Sequence, residues 1–130
     1  MSDLAEFLIA RIAEDEEAAW GTAHWDHMPA DTFDNHLDNL AGGYSDQPWV
    51  VYDEEGQPIA REVGCADAVH ISRHDPARVL AECKAKRRIV EMADLAHERR
   101  LETDSALFLV LRYLALPYAD HPDYDPAWRP

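Results

Sequence analysis

The segment ADAVHISRHDPARVLAECKAKRRIVEMADLAHERR, residues 66–100, carries two helical patterns joined at one corner. Asp75 precedes Pro76, and a residue before proline is pushed out of the α region, so one helix must end there. Pro76 suits the first turn of the next helix, where no backbone N–H is required, and Asp75 suits its cap. Beyond it Val79, Leu80, Cys83, Val90, Ala93, His97 and Leu101 recur at helical spacing. Lys86 interrupts this stripe, with methylenes long enough to lie along a core while the ammonium reaches water. The segment therefore predicts a long amphipathic helix over 76–100.

On the N-terminal side, residues 1–20 form a first helix starting at Ser2 or Asp3, with Leu4, Phe7, Leu8 and Ile12 on one face. Glu14 to Glu17 near its end read as a solvated face. Residues 21–47 are an acidic, irregular segment in which Asp31 or Thr32 can cap a short helix carrying Phe33, Leu37 and Leu40. Residues 48–63 read as a β-hairpin: strand-forming Trp49, Val50, Val51 and Tyr52, a turn with Gly56, and a return strand. On the C-terminal side, Ala106–Leu116 is almost wholly apolar, which predicts the most buried helix of the core. Pro117 ends it. Residues 117–130 form a proline-rich tail whose aromatic rings favour wrapping on the body. The expected fold is mostly α with a small β-hairpin, an α+β single domain over 1–130. Residues 65–116 supply the helical core of a compact bundle of three to five helices.

Charge is unevenly distributed. The formal net charge is −14, with −13 in residues 1–62, +1 in 63–116 and −2 in 117–130. Eight of the twelve Lys and Arg lie between Arg73 and Arg100, so the acidic N-terminal half is expected to fold against the basic helix. Lys84, Arg87 and Arg88 should then find carboxylates within the chain or across a homodimer. Direct nucleic-acid binding is not expected of so acidic a chain. No run approaches the roughly 20 apolar residues that cross a bilayer, so no membrane is expected. The acidic N-terminus lacks the basic region of a signal peptide and suggests a cytoplasmic address. Cys65 and Cys83 give no disulfide framework.

The best candidates for chemistry are His70 and His74, four residues apart and therefore on one helix face. Such a pair can hold zinc if two further ligands join, and Cys65 and Cys83 are the available thiols. The glutamate of a His-Glu-x-x-His protease is missing: Ile71, Ser72 and Arg73 stand between the histidines. The simpler reading has His74 orienting the Asp75-Pro76 corner and His70 packing against the last helix. His24 and His27, flanking Trp25, are weaker metal candidates. Cys83 belongs to an apolar stripe, where a thiol is inert. The favoured function is association with a protein partner, through Tyr118, Tyr124 and Trp128 of the tail or the cations Lys84, Arg87 and Arg88. The alternatives are a metal-binding regulator built on the His70/His74 helix and a small metal-dependent hydrolase using the histidine-rich loop.

Three segments, His70–Val90 (HISRHDPARVLAECKAKRRIV), Leu111–Pro130 (LRYLALPYADHPDYDPAWRP) and Leu4–Glu16 (LAEFLIARIAEDE), resemble a family of small proteins of unknown function from actinobacteria and their phages. The resemblance implies a phage or mobile-element setting. It implies no activity, cofactor or catalytic residue.

Overall fold

The structure is a computed structural model that describes residues 1–19, 24–30 and 48–130. The expected short helix at Phe33–Leu40 lies outside the described residues. Among the described residues, four helices and a small antiparallel sheet belong to two compact units: Met1–Ala18 with Leu80–Pro130, and Ala19–Val79. The fold is α+β, as the sequence predicts. Among the described residues no helix is long and apolar enough to cross a membrane.

In the second unit, β2 (Trp49–Asp53) and β3 (Pro58–Val63) form the expected hairpin. Asp53 Oδ1 accepts from the N–H groups of Glu55 and Gln57 at 3.0 and 2.8 Å, and Gly56 takes the positive φ of 77° that its turn demands. Trp25–Pro29, expected within an irregular segment, is a third strand, β1, paired antiparallel to β2 with Trp25 opposite Asp53. Its sequence, WDHMP, carries no clear alternation and ends in proline, so the strand is set by its partner's exposed edge rather than by propensity. Helix α2 (Cys65–Arg73) covers the sheet: Ala68 is fully buried with Trp49 and Val51, and Trp25, Ala60, Val63, Cys65 and Ile71 close around them.

The first unit combines α1 (Asp3–Ala18), the greater part of α3 (Pro76–Glu98), α4 (Asp104–Ala115) and the tail. Ser2 caps α1: its Oγ accepts from Ala5 N–H at 3.2 Å and its carbonyl from Glu6 N–H at 2.9 Å. Leu4, Leu8 and Ile12 are fully buried, and Cys83, Val90, Ala93 and Ala96 give α3 its buried stripe. Helix α3 ends in a Schellman closure, with Leu101 N–H donating to Ala96 O and Arg100 N–H to His97 O. Arg100 holds the left-handed position at φ 52°, where glycine is the usual occupant.

Around Phe7 the tail closes on α1, as the sequence predicts. Tyr118, His121, Tyr124 and Trp128 all bring their rings within 6.4 Å of the Phe7 ring. Two short 3₁₀ turns, Leu116–Tyr118 and Pro126–Trp128, bend the tail into place.

The expectation that α4 is the most buried helix is wrong. Leu111 and Ala115 are buried, while Phe108, Leu109, Val110, Tyr113 and Leu116 are exposed. An all-apolar helix demands cover on every side, but the stripes of α1 and α3 already occupy the interior and meet only one edge of α4.

Two stability changes follow. Arg100→Gly should raise the unfolding free energy by about 0.5–1 kcal/mol, because a side chain is removed from a left-handed position. Leu111→Ala should lower it by about 2–5 kcal/mol. Urea titrations followed by circular dichroism check both.

Candidate functional site

Helix α4 has two apolar faces. One turns inward through Leu111 and Ala115. On the other, Ala106, Leu109, Tyr113 and Leu116 follow at steps of three, four and three residues, so they line up along one side. Leu116 belongs to this row because its φ and ψ of −55° and −40° continue the helical path. Leu109, Tyr113 and Leu116 are 41%, 56% and 40% exposed, and Val110 beside them is 38% exposed.

No charged residue interrupts the row. The single cation of the helix, Arg112, is drawn aside by the tail: its Nε donates to the Trp128 carbonyl at 3.0 Å and its Nη2 to the Arg129 carbonyl. The single acid, Asp104, lies at the opposite end and on the inner side, 3.2 Å from His97 Nδ1. An uncharged, apolar helix face in a chain of net charge −14 is suited to association with another apolar surface.

The second unit holds a polar cluster at the corner that the sequence singled out. Asp75 is nearly buried and works with both oxygens. Oδ1 accepts from Arg78 N–H at 2.8 Å, capping α3, while Oδ2 meets His24 Nδ1 at 3.2 Å and accepts from Trp25 N–H at 3.4 Å. Burial pushes its pKa up, but the bonds from Arg78, His24 and Trp25 outweigh that and hold it below the ordinary carboxylate value. Next to it Ser72 Oγ lies 2.7 Å from His27 Nδ1, and the His27 ring packs on Trp49 at 5.5 Å. This serine is not poised as a nucleophile: it is buried and also bonds back to the Val69 carbonyl of its own helix at 3.2 Å.

His70 and His74 stack on one face, as their spacing predicts, with ring centroids 4.5 Å apart. Both are exposed. His74 does not orient the corner and His70 is not packed into a core; Asp75 itself ties the corner together, because its short carboxylate reaches the backbone from the cap position. Cys65 sits half-buried in the second unit and Cys83 fully buried in the first. Burial, with Asp15 nearby, pushes the Cys83 thiol up, away from reactivity. Among the described residues no three His, Cys, Asp or Glu side chains gather where a metal could bind.

The interaction residues read from sequence serve largely within the first unit. Tyr124 is buried beside Phe7, Trp128 is half-buried on it, and Tyr118 O–H donates to Asp15 at 2.5 Å. Burial and then that carboxylate raise the Tyr118 pKa. Arg87 grips Glu16 with two bonds, Nε to Oε1 at 2.9 Å and Nη2 to Oε2 at 2.6 Å, and Arg88 meets Glu91 at 3.0 Å. Lys84 is exposed. The outer face of α4 is hidden in the sequence because its residues have the composition of a core. The signal that marks it is the second apolar row, on the side of the helix opposite Leu111 and Ala115.

The class these features define is a small α+β protein with an exposed apolar helix face. The chain belongs to a family of unknown function, DUF6221, which matches residues 1–130. No curated protein and no solved structure matches the chain.

The Asp75 corner yields a stability prediction with a definite sign. Its lowered pKa means the carboxylate stabilises the fold above the ordinary carboxylate range, and the contribution fades as pH falls through the native value. Asp75→Ala should cost about 1–2 kcal/mol at neutral pH. The gap between variant and parent should narrow as pH drops below about 4. Denaturation curves at pH 7 and pH 3 measure it.

Proposed function

We propose that this chain is an accessory protein that works by non-covalent association with another polypeptide, through the outer face of α4. The observation that carries the reading is the unbroken row Ala106, Leu109, Tyr113 and Leu116, with Val110 beside it, exposed on a well-formed helix. Water contact at such a row is costly, at about 25 cal/mol for each Å² of apolar surface, and cover by another chain removes that cost. The helix is already formed, so its ordering cost is met in folding and not in binding. The tail supports the role indirectly, its Trp128 and Arg129 carbonyls drawing Arg112 off the face.

The test is a photo-cross-linking amino acid placed at Tyr113 and irradiated in the cells that make the protein. A covalent protein adduct at Tyr113, missing when the same group is placed at exposed Glu54 in the hairpin turn, is the expected outcome. Equal labelling at both positions, or none at Tyr113, would remove the reading.

A further inference from the structure

We propose that the polypeptide covering α4 is a second copy of this chain, the two α4 helices packing antiparallel about a two-fold axis level with Leu111. The proposal rests on the association reading and specifies its partner. Three observations lead to it.

The first is spacing. The steps of three, four and three along Ala106, Leu109, Tyr113 and Leu116 read the same in both directions. An antiparallel copy therefore places a rung opposite every rung: Leu109 against the partner's Tyr113, and Ala106 against the partner's Leu116. Each step of this ladder sets a smaller side chain against a larger one, the arrangement that fills space between two helices. A two-fold contact must be self-complementary, and this row is.

The second is charge. Two chains of −14 repel, so a contact between copies has to fall where neither presents an acid. The outer face of α4 meets that condition. At this register Arg112 lies level with the partner's Val110, and its guanidinium is already turned to its own tail. The antiparallel arrangement also sets the positive end of each helix dipole beside the negative end of the other.

The third is area. The exposed parts of Leu109, Val110, Tyr113 and Leu116 amount to roughly 350 Å² on one copy, so pairing buries roughly 700 Å², about half of a standard stable interface. That places the dimer at the weak, concentration-dependent end. Its salt response is distinctive. Repulsion between two acidic bodies is screened over a Debye length of about 8 Å at physiological ionic strength, so added salt should tighten the pair. A basic partner held by the acidic surface would loosen instead.

Sedimentation equilibrium of the full chain across the micromolar to millimolar range tests the pairing. The expected result is a monomer–dimer equilibrium that shifts toward dimer between 50 and 500 mM NaCl, on the order of several-fold. Leu109→Lys should weaken it at least about tenfold while leaving the helical circular dichroism and the melting temperature in place. A monomer at every concentration overturns the proposal, as does a dimer indifferent to Leu109→Lys. Register is read in a Cys65→Ser background by mixing Leu109→Cys chains with Tyr113→Cys chains under mild oxidation. Mixed disulfides should outnumber either like-with-like product. Predominant like-with-like products mean parallel packing and overturn the antiparallel arrangement. The mass of the Tyr113 photo-adduct separates this proposal from the reading beneath it. Twice the chain mass supports the copy as partner; an adduct of another mass overturns self-pairing and leaves association standing; no adduct ends both.

Discussion

Phe7 is the ring on which the first unit closes. Four aromatic side chains of the tail converge on it, Trp128 most closely at 5.1 Å. Three of the contacts are edge-to-face and that of Trp128 is tilted; such contacts add to the area each ring buries, and together they hold the proline-rich tail on α1. That placement has an effect beyond packing. It brings the carbonyls of Trp128 and Arg129 to Arg112, and so decides that the outer side of α4 is free of charge. A ring on the first helix thus determines the character of a surface on the last.

The acidic run Glu14–Glu17 shows how composition turns into specific pairing. Glu14 takes Arg11, Asp15 takes the Tyr118 hydroxyl and Glu16 takes Arg87, each at 2.9 Å or less. Side-chain hydrogen bonding to Arg87 lowers the Glu16 pKa, and the same contact raises that of Arg87. Arg11, almost entirely buried, lies over the Phe7 ring at 5.4 Å and also reaches His121. The run is therefore part of the join between α1, α3 and the tail, whereas its sequence suggested only solvation.

Much of the fold was legible because local chemistry and global position agreed. Asp75-Pro76 had to be a helix boundary, Gly56 had to be a turn, and the spacing of Leu4, Leu8 and Ile12 had to be a buried face. Three features were not legible. β1 exists because β2 offers an edge, and a paired edge leaves no mark on the sequence of the strand that fills it. Arg100 occupies a glycine position with no glycine to announce it. Most telling is α4, where apolar residues on all sides say that the helix will be covered but not whether its own chain supplies the cover. Periodicity measures the need for burial; only the count of neighbouring helices shows whether that need is met. For the site, Asp75 caps α3 as its place before Pro76 predicts, while the contacts of its second oxygen with His24 and Trp25 leave no mark in the sequence.

The order of the two units along the chain bears on how the protein is made. Residues 19–79 are contiguous and lie between the two pieces of the other unit. On the ribosome the sheet and its covering helix can form as soon as they emerge, as contiguous units generally do. Helix α1 emerges before this unit but finishes after it, since the rings that cover Phe7 are more than a hundred residues downstream. Through most of synthesis its Leu4, Leu8 and Ile12 face is without α4 and the tail, a period during which a chaperone has a natural substrate. The four acids at the end of that helix put like charge beside that face, which disfavours its association with other nascent chains.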